Sequence, residues 1–209
     1  MNNVKDYNLN KNCLRNIKSN YVLRRMFKNL KENKFMEILK YNKELQKILN
    51  IDINDYIEYK NIEIEIIPLN KSNKNIFANI PKQEKCYYHV YFNDNKNEAK
   101  RNYFTKEENI SRIKIVIDSK VKSINNLFRW RDSIEKINFI KNNRTDISDL
   151  SRLFLYCSSL KEININKLIA DNVIDMSDIF YGCSSLKELN LTNLNSNKIN
   201  NMINKPSKY

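Results

Sequence analysis

Apolar positions recur along this chain with three different periods. Between residues 19 and 49 the spacing is helical. Val22, Leu23, Met26, Phe27 and Leu30 form one stripe with Ser19 placed to cap it, and Phe35, Ile38, Leu39, Leu45, Ile48 and Leu49 form a second with Asn33 as its cap. Two such helices joined by a short turn predict an antiparallel hairpin. From Ile62 the period falls to two: Ile62, Ile64 and Ile66 alternate with Glu63 and Glu65 as far as Pro68. After a polar loop from Asn70 to Asn75, Cys86, Tyr88, Val90 and Phe92 alternate with Tyr87, His89 and Tyr91, and Ile113, Ile115 and Ile117 give a third run. Alternation of this kind marks half-buried strands, and these three predict a small sheet that joins the segment after it.

That later segment carries a period of 26. Val121, Ile147, Val173 and Ile199 are spaced 26 apart, and the same offset aligns Phe128, Phe154 and Phe180, then Asn138, Asn164 and Asn190. A fixed period in the twenties predicts stacked units, each of which buries its apolar face only against its neighbours. Within one unit Val173, Met176, Ile179, Phe180 and Cys183 fall at steps of three or four, which predicts a short helix, and Leu186, Leu189, Leu191 and Leu194 then read L-x-x-L-x-L-x-x-L, a strand. Asp118 and Ser119 stand where they would cap the first such helix. A fourth, partial unit (Ile199, Met202, Ile203) stops before Pro206 and would lid the last layer.

The strings DLSRLFLYCSSLKEININKL (149–168) and DMSDIFYGCSSLKELNLTNL (175–194) resemble the BspA-like branch of leucine-rich repeat proteins. The resemblance covers about residues 121–203. It implies an α/β fold: a short leucine-rich-repeat solenoid of about three and a fraction 26-residue repeats, preceded by the helical hairpin and the small sheet. The implied domains are residues 1–59 (basic arm and hairpin), 60–118 (small sheet capping the solenoid) and 119–209 (repeat array). Members of that family look like non-catalytic binding proteins, often on bacterial cell surfaces and also widespread among intracellular proteins of protists and large viruses. The first repeat departs from the pattern, with Arg131 where the others have Cys157 and Cys183, and this suits an end cap. The hairpin, residues 21–49, is faintly similar to an F-box. That similarity implies docking to a Skp-type scaffold protein as a ubiquitin-ligase substrate adaptor, although the usual Leu-Pro start and later Trp are absent; the alternative is a hairpin that only closes the fold.

Composition narrows the chemistry. One glycine in 209 residues excludes phosphate loops and dinucleotide fingerprints, which need several. His89 is the only histidine, so no histidine-based metal cluster or catalytic triad can be assembled. The expectation is a protein without catalytic residues, metal or cofactor. Cys13, Cys86, Cys157 and Cys183 lack metal-site spacing, and the repeat register places Cys157 and Cys183 on adjacent layers as small buried side chains. No run approaches the ~18 apolar residues of a membrane span, and the polar start MNNVKDYNLNKN has no signal-peptide core. These features predict a reduced, cytoplasmic monomer. The net charge of +13 favours acidic partners and keeps a basic nucleic-acid-binding protein as a further alternative. The excess is nonetheless spread along the chain and not gathered into a block, although Arg24, Arg25, Lys28, Lys31 and Lys34 are locally dense; a nucleic-acid binder more often interleaves basic and aromatic residues on one element, which argues against it.

The remaining candidate is a surface. In an alternating strand the residues between the buried ones point outward and line up across layers about 4.8 Å apart. The predicted columns are Lys136, Glu162 and Glu188; Asn138, Asn164 and Asn190; and Ile140, Asn166 and Thr192. The expected function is therefore a protein–protein interaction module or adaptor that binds a partner through Lys136, Asn138, Glu162, Asn164, Asn166, Glu188, Asn190 and Thr192.

Overall fold

The computed structural model describes residues 38–50, 53–144, 146–167 and 172–187. The first predicted helix (Val22 to Leu30), the leucines after Lys187, the partial fourth unit, and Glu188, Asn190 and Thr192 all lie outside the described residues. The chain divides into two compact units, residues 1–57 and 58–209.

In the first unit the second predicted helix is interrupted. Residues 38–41 are helical, Asn42 turns extended (φ −121°, ψ 90°), and helix α1 (Lys43–Leu49) starts afresh. The asparagine causes the break: its Oδ1 accepts from the Leu45 N–H at 3.1 Å, satisfying a donor that a helix start leaves open. Helix α1 buries Leu45 and Leu49 and ends at Asn50 in the left-handed conformation. A further helix, α2 (Ile53–Tyr59), follows and was not foreseen.

The second unit is built on a sheet. Strands β1 (Ile62–Pro68), β3 (Tyr88–Phe92) and β5 (Ile113–Ile117) realise the three alternating runs, with Ile62, Ile64, Ile66, Ile113, Ile115 and Ile117 fully buried. They join β6 (Ile134–Lys141) and β7 (Glu162–Asn164) in the order β3-β5-β1-β6-β7. The first three pairings are antiparallel and only β6–β7 is parallel. Two short strands, β2 (Lys74–Ile76) and β4 (Tyr103–Thr105), pair separately, and β2 starts within the predicted polar loop from Asn70 to Asn75. Cys86, expected on the buried face of a strand, sits exposed in a 3-10 helix, Lys82–Tyr87, and the strand begins only at Tyr88.

The expected leucine-rich-repeat solenoid is not what the described residues form. They form an open, mixed five-stranded sheet with a second two-stranded one; only the coarse α/β class survives. Among the described residues the predicted repeat helices are absent as well. Residues 125–130, 151–156 and 177–182 are consecutive turns. The physical reason lies in the backbone hydrogen bonds. Arg129, Arg131, Leu155 and Cys157 donate three residues back within their own layer, whereas Asn126, Phe128 and Trp130 donate to Ser151, Leu153 and Leu155 of the next. Arg152, Phe154 and Tyr156 repeat this toward Ser177, Ile179 and Tyr181. A helix sends every N–H back along itself. Sending alternate ones sideways needs left-handed residues at a 26-residue spacing: Asn126, Arg152 and Asp178 (φ 54–55°), then Trp130, Tyr156 and Gly182 (φ 61°, 56° and 74°).

The 26-residue period is thus real but is expressed as stacked turns. Phe128, Phe154 and Phe180 form a touching row, with centroids 5.7 and 5.5 Å apart and planes within 4° and 3° of parallel. They lie in one continuous core with the inner face of the sheet. The DLS and DMS motifs start each turn run: Asp149 Oδ1 and Asp175 Oδ1 each accept from the N–H two residues on, at 2.8 Å. Asp118 does the same for Lys120 at 2.9 Å, capping a turn where a helix was expected. Cys157 and Cys183 are buried on adjacent layers, and each thiol donates to the carbonyl 29 residues earlier, Phe128 at 2.9 Å and Phe154 at 3.0 Å. Burial pushes the Cys183 thiol up to about 12 and raises Cys157 further.

Candidate interaction surface

The outward face of the sheet brings together part of the predicted patch. In the β6–β7 register Lys136 lies beside Glu162 and Asn138 beside Asn164. Lys136 Nζ is 2.7 Å from Glu162 Oε2, and this hydrogen bond raises the lysine pKa. The asparagines do not bond each other. Asn164 Oδ1 instead accepts from the Asn166 N–H at 3.1 Å, and β7 ends at Asn164, so Asn166 is exposed beyond the ladder and does not continue a column.

The face also extends away from the repeats, which the sequence reading missed. Pairing partners run unbroken from Asn164 to Asn138, Glu65, Lys114 and Tyr91, one residue from each of the five strands. Beside this row lie Glu63, Val116 and His89 on one side and Ile67, Lys136 and Glu162 on the other. The two glutamates that alternate along β1 are the polar half of the same pattern that buries its isoleucines, so their side chains face outward by the two-residue period. The signal was present in the sequence, but placing it beside the repeat residues required the β1–β6 pairing.

Opposite charges hold this face in place. Glu63 lies between Lys114 (2.7 Å) and Lys141 (3.8 Å), and Arg112 between Glu65 (3.4 Å) and Asp94 (3.6 Å). Half-exposed pairs of this kind contribute little to stability and are weakened by salt. They do fix side-chain directions, which lowers the ordering cost of binding. His89, at the β3 end, has Nδ1 3.4 Å from Glu98 Oε1. Among the described residues no three His, Cys, Asp or Glu side chains come together to hold a metal, and no helix is long and apolar enough to cross a membrane.

Two residues that sequence inspection passed over brace the turn segments. Asn79 closes the open end of the turn stack: its N–H donates to Leu127 O (2.7 Å) and its side-chain amide to Asn126 O (2.9 Å) and Arg129 O (2.8 Å). Arg144, just past β6, is wholly buried, donating to Asp146 through Nε (2.9 Å) and Nη2 (3.1 Å), and to the carbonyls of Asp118 (3.2 Å) and Val121. The Arg144 and Lys122 hydrogen bonds outweigh desolvation and hold the Asp146 carboxyl well below its usual range. A third feature is an exposed aromatic column. Trp130 stacks on Tyr156 at 4.2 Å, Tyr156 meets Tyr181 edge-on at 5.4 Å, and the Tyr156 ring lies against Gly182, the only glycine.

Comparisons with protein-family models, with curated proteins and with solved structures find no match to this chain.

Proposed function

We propose that this protein is a non-catalytic interaction module that binds a protein partner through the outward face of its five-strand sheet. One observation carries this reading: a single register row of polar residues, Tyr91–Lys114–Glu65–Asn138–Asn164, crosses all five strands. Four strand spacings make this face about 19 Å wide, and five residues of strand make it about 17 Å long. That gives roughly 320 Å² in projection, against the ~800 Å² per partner of a standard interface. A full interface therefore takes in neighbouring surface as well.

The test is affinity capture with the wild-type chain followed by the variant Lys136→Glu/Asn138→Arg/Asn164→Arg. Reversing charge and adding bulk across the row costs a bound partner several kcal/mol, so any partner using this face is lost from the variant. A partner held equally by both proteins removes the face from consideration. The F-box-like alternative rests largely on residues 21–37, outside the described residues, and is answered by co-purification with a Skp-type scaffold. The nucleic-acid alternative is answered by a salt-dependent gel shift.

A further inference from the structure

The sheet has a second binding feature, at its β3 edge. Strand β3 pairs with β5 on one side only. The Asp118 N–H donates to Tyr87 O and the Asn93 N–H to Arg112 O, so the odd-numbered residues of β3 bond to β5 and Tyr88, Val90 and Phe92 turn their backbone groups outward. Some of these are taken locally. The Tyr88 N–H bonds Lys85 O, Val90 O accepts from Ala99 and Phe92 O accepts from Asn95. The Tyr88 carbonyl and the Val90 N–H have no partner among the described residues. An acceptor and a donor two residues apart on one edge are the pair that an incoming strand bonds.

Tyr88 and Val90 line a cleft of about 770 Å³, with the 3-10 helix on one wall and residues 98–102 on the other. Its apolar lining comes from Ile80, Tyr88, Val90 and Ala99. Its charges are unbalanced. Lys82, Lys85 and Lys100 are exposed there with no ion pair among the described residues. Arg101, by contrast, is bound to Glu108 and stacked over Phe92 and Tyr103, so it serves as wall. The only carboxylate in the lining is Glu98, beside His89.

We propose that this cleft receives an acidic, extended segment of a partner chain, which adds as a strand to the free edge of β3. Its main chain bonds the Tyr88 carbonyl and the Val90 N–H, and its carboxylates meet Lys82, Lys85 and Lys100. The cleft adjoins the sheet face at His89 but does not depend on that assignment. Edge strands are ordinarily protected by lysines against accidental pairing. Here the same lysines select the charge of what is admitted.

Exposed Cys86, in the cleft lining, supplies the readout. In a Cys13→Ser background the rate of Cys86 alkylation is followed while three probes are titrated: an end-capped octapeptide of alternating valine and glutamate, its fully N-methylated counterpart, and the valine–lysine analogue. The first slows alkylation saturably, and the other two do not. Lys82→Glu/Lys85→Glu/Lys100→Glu, all surface changes, weakens the valine–glutamate peptide at least about tenfold, the effect of ~1.4 kcal/mol of lost attraction. Equal protection by the N-methylated peptide overturns strand addition, and equal protection by the lysine peptide overturns the charge selection. Protection by an oligothymidylate but not by the peptide assigns the cleft to nucleic acid and likewise defeats the proposal.

Discussion

The single glycine offers the sharpest test of the stacked-turn architecture. Gly182 sits at φ +74°, and a Cβ built there would lie 2.3 Å from Tyr156 Cδ1 and 2.9 Å from Cε1. Gly182→Ala therefore has two separable costs. Holding an alanine in the left-handed region costs about 1–2 kcal/mol. Relieving the overlap means swinging the half-exposed Tyr156 ring away, which forfeits its stacking on Trp130, worth about 0.5–1.5 kcal/mol. The sum is about 1.5–3.5 kcal/mol, or a fall in Tm of roughly 3–14 °C for a chain of this size. Denaturant unfolding read by tryptophan fluorescence suits the measurement, because Trp130 is the only tryptophan and belongs to the same column. In a Tyr156→Ala background the overlap is gone and only the conformational cost remains, so the two substitutions couple by about 1 kcal/mol. A Gly182→Ala cost that is the same in both backgrounds, or below about 0.5 kcal/mol in the wild type, would refute the placement of that ring on that backbone.

Phe154→Ala, in the middle of the ring row, costs about 3–5 kcal/mol by denaturant unfolding, and a cost near 1 kcal/mol would deny the stack. Asn79→Ala strips the Asn126 and Arg129 carbonyls of the side-chain amide that bonds them and costs about 1–3 kcal/mol; the Leu127 bond comes from the backbone N–H and is kept, and Asn79→Asp is also destabilising, having no side-chain donor to offer those two carbonyls. Asp146 is depressed below its ordinary 3.8, so the stability it contributes is present above about pH 4 and is lost as pH falls below that. Asp146→Asn is accordingly less stable at pH 7 and shows a shallower acid limb, and an unchanged limb would refute the Arg144 pairing. With both buried thiols raised far above their usual range, alkylation at pH 8 of the native Cys13→Ser protein modifies Cys86 and spares Cys157 and Cys183, which peptide mapping checks.

The strands were legible because a two-residue alternation has one structural meaning. The isoleucines of β1 and β5 point inward and their glutamates and lysines outward, as read. The repeat was legible as a period but not as a conformation. Val173, Met176, Ile179, Phe180 and Cys183 lie at helical intervals and are all buried, yet none is helical: Ile179 and Phe180 lie in a turn run and the other three in the irregular chain beside it. Hydrophobic spacing reports only which side chains face the core. It is silent on whether an N–H bonds along the chain or across to the next layer, and the residues that decide this, Trp130 and Tyr156 at positive φ, are not ones that sequence rules assign to left-handed positions. The break at Asn42 was hidden for a related reason: one capping side chain outweighs the helical stripe that runs through it.

Why turns in place of a helix then becomes a question of neighbours. Each left-handed non-glycine residue costs about 1–2 kcal/mol, and each interlayer hydrogen bond returns about 0.5–1.5 kcal/mol, so the backbone exchange roughly cancels by itself. What separates the alternatives is the ring row. Parallel planes with centroids 5.5–5.7 Å apart need successive layers close enough for direct backbone bonding, whereas helices pack with axes 8–10 Å apart. The close spacing also matches that of the strands, so the layers that stack Phe128 on Phe154 are the same ones that set Lys136 beside Glu162. Placing β7 beside β6, and hence extending the polar row to its fifth strand, follows from the turn geometry on the far side of the core. A substitution that forced those turns into helix would separate the layers and cut the outward face at β6. Phe128→Ala and Phe154→Ala therefore weaken a partner bound across β6 and β7 even though neither ring is exposed to it.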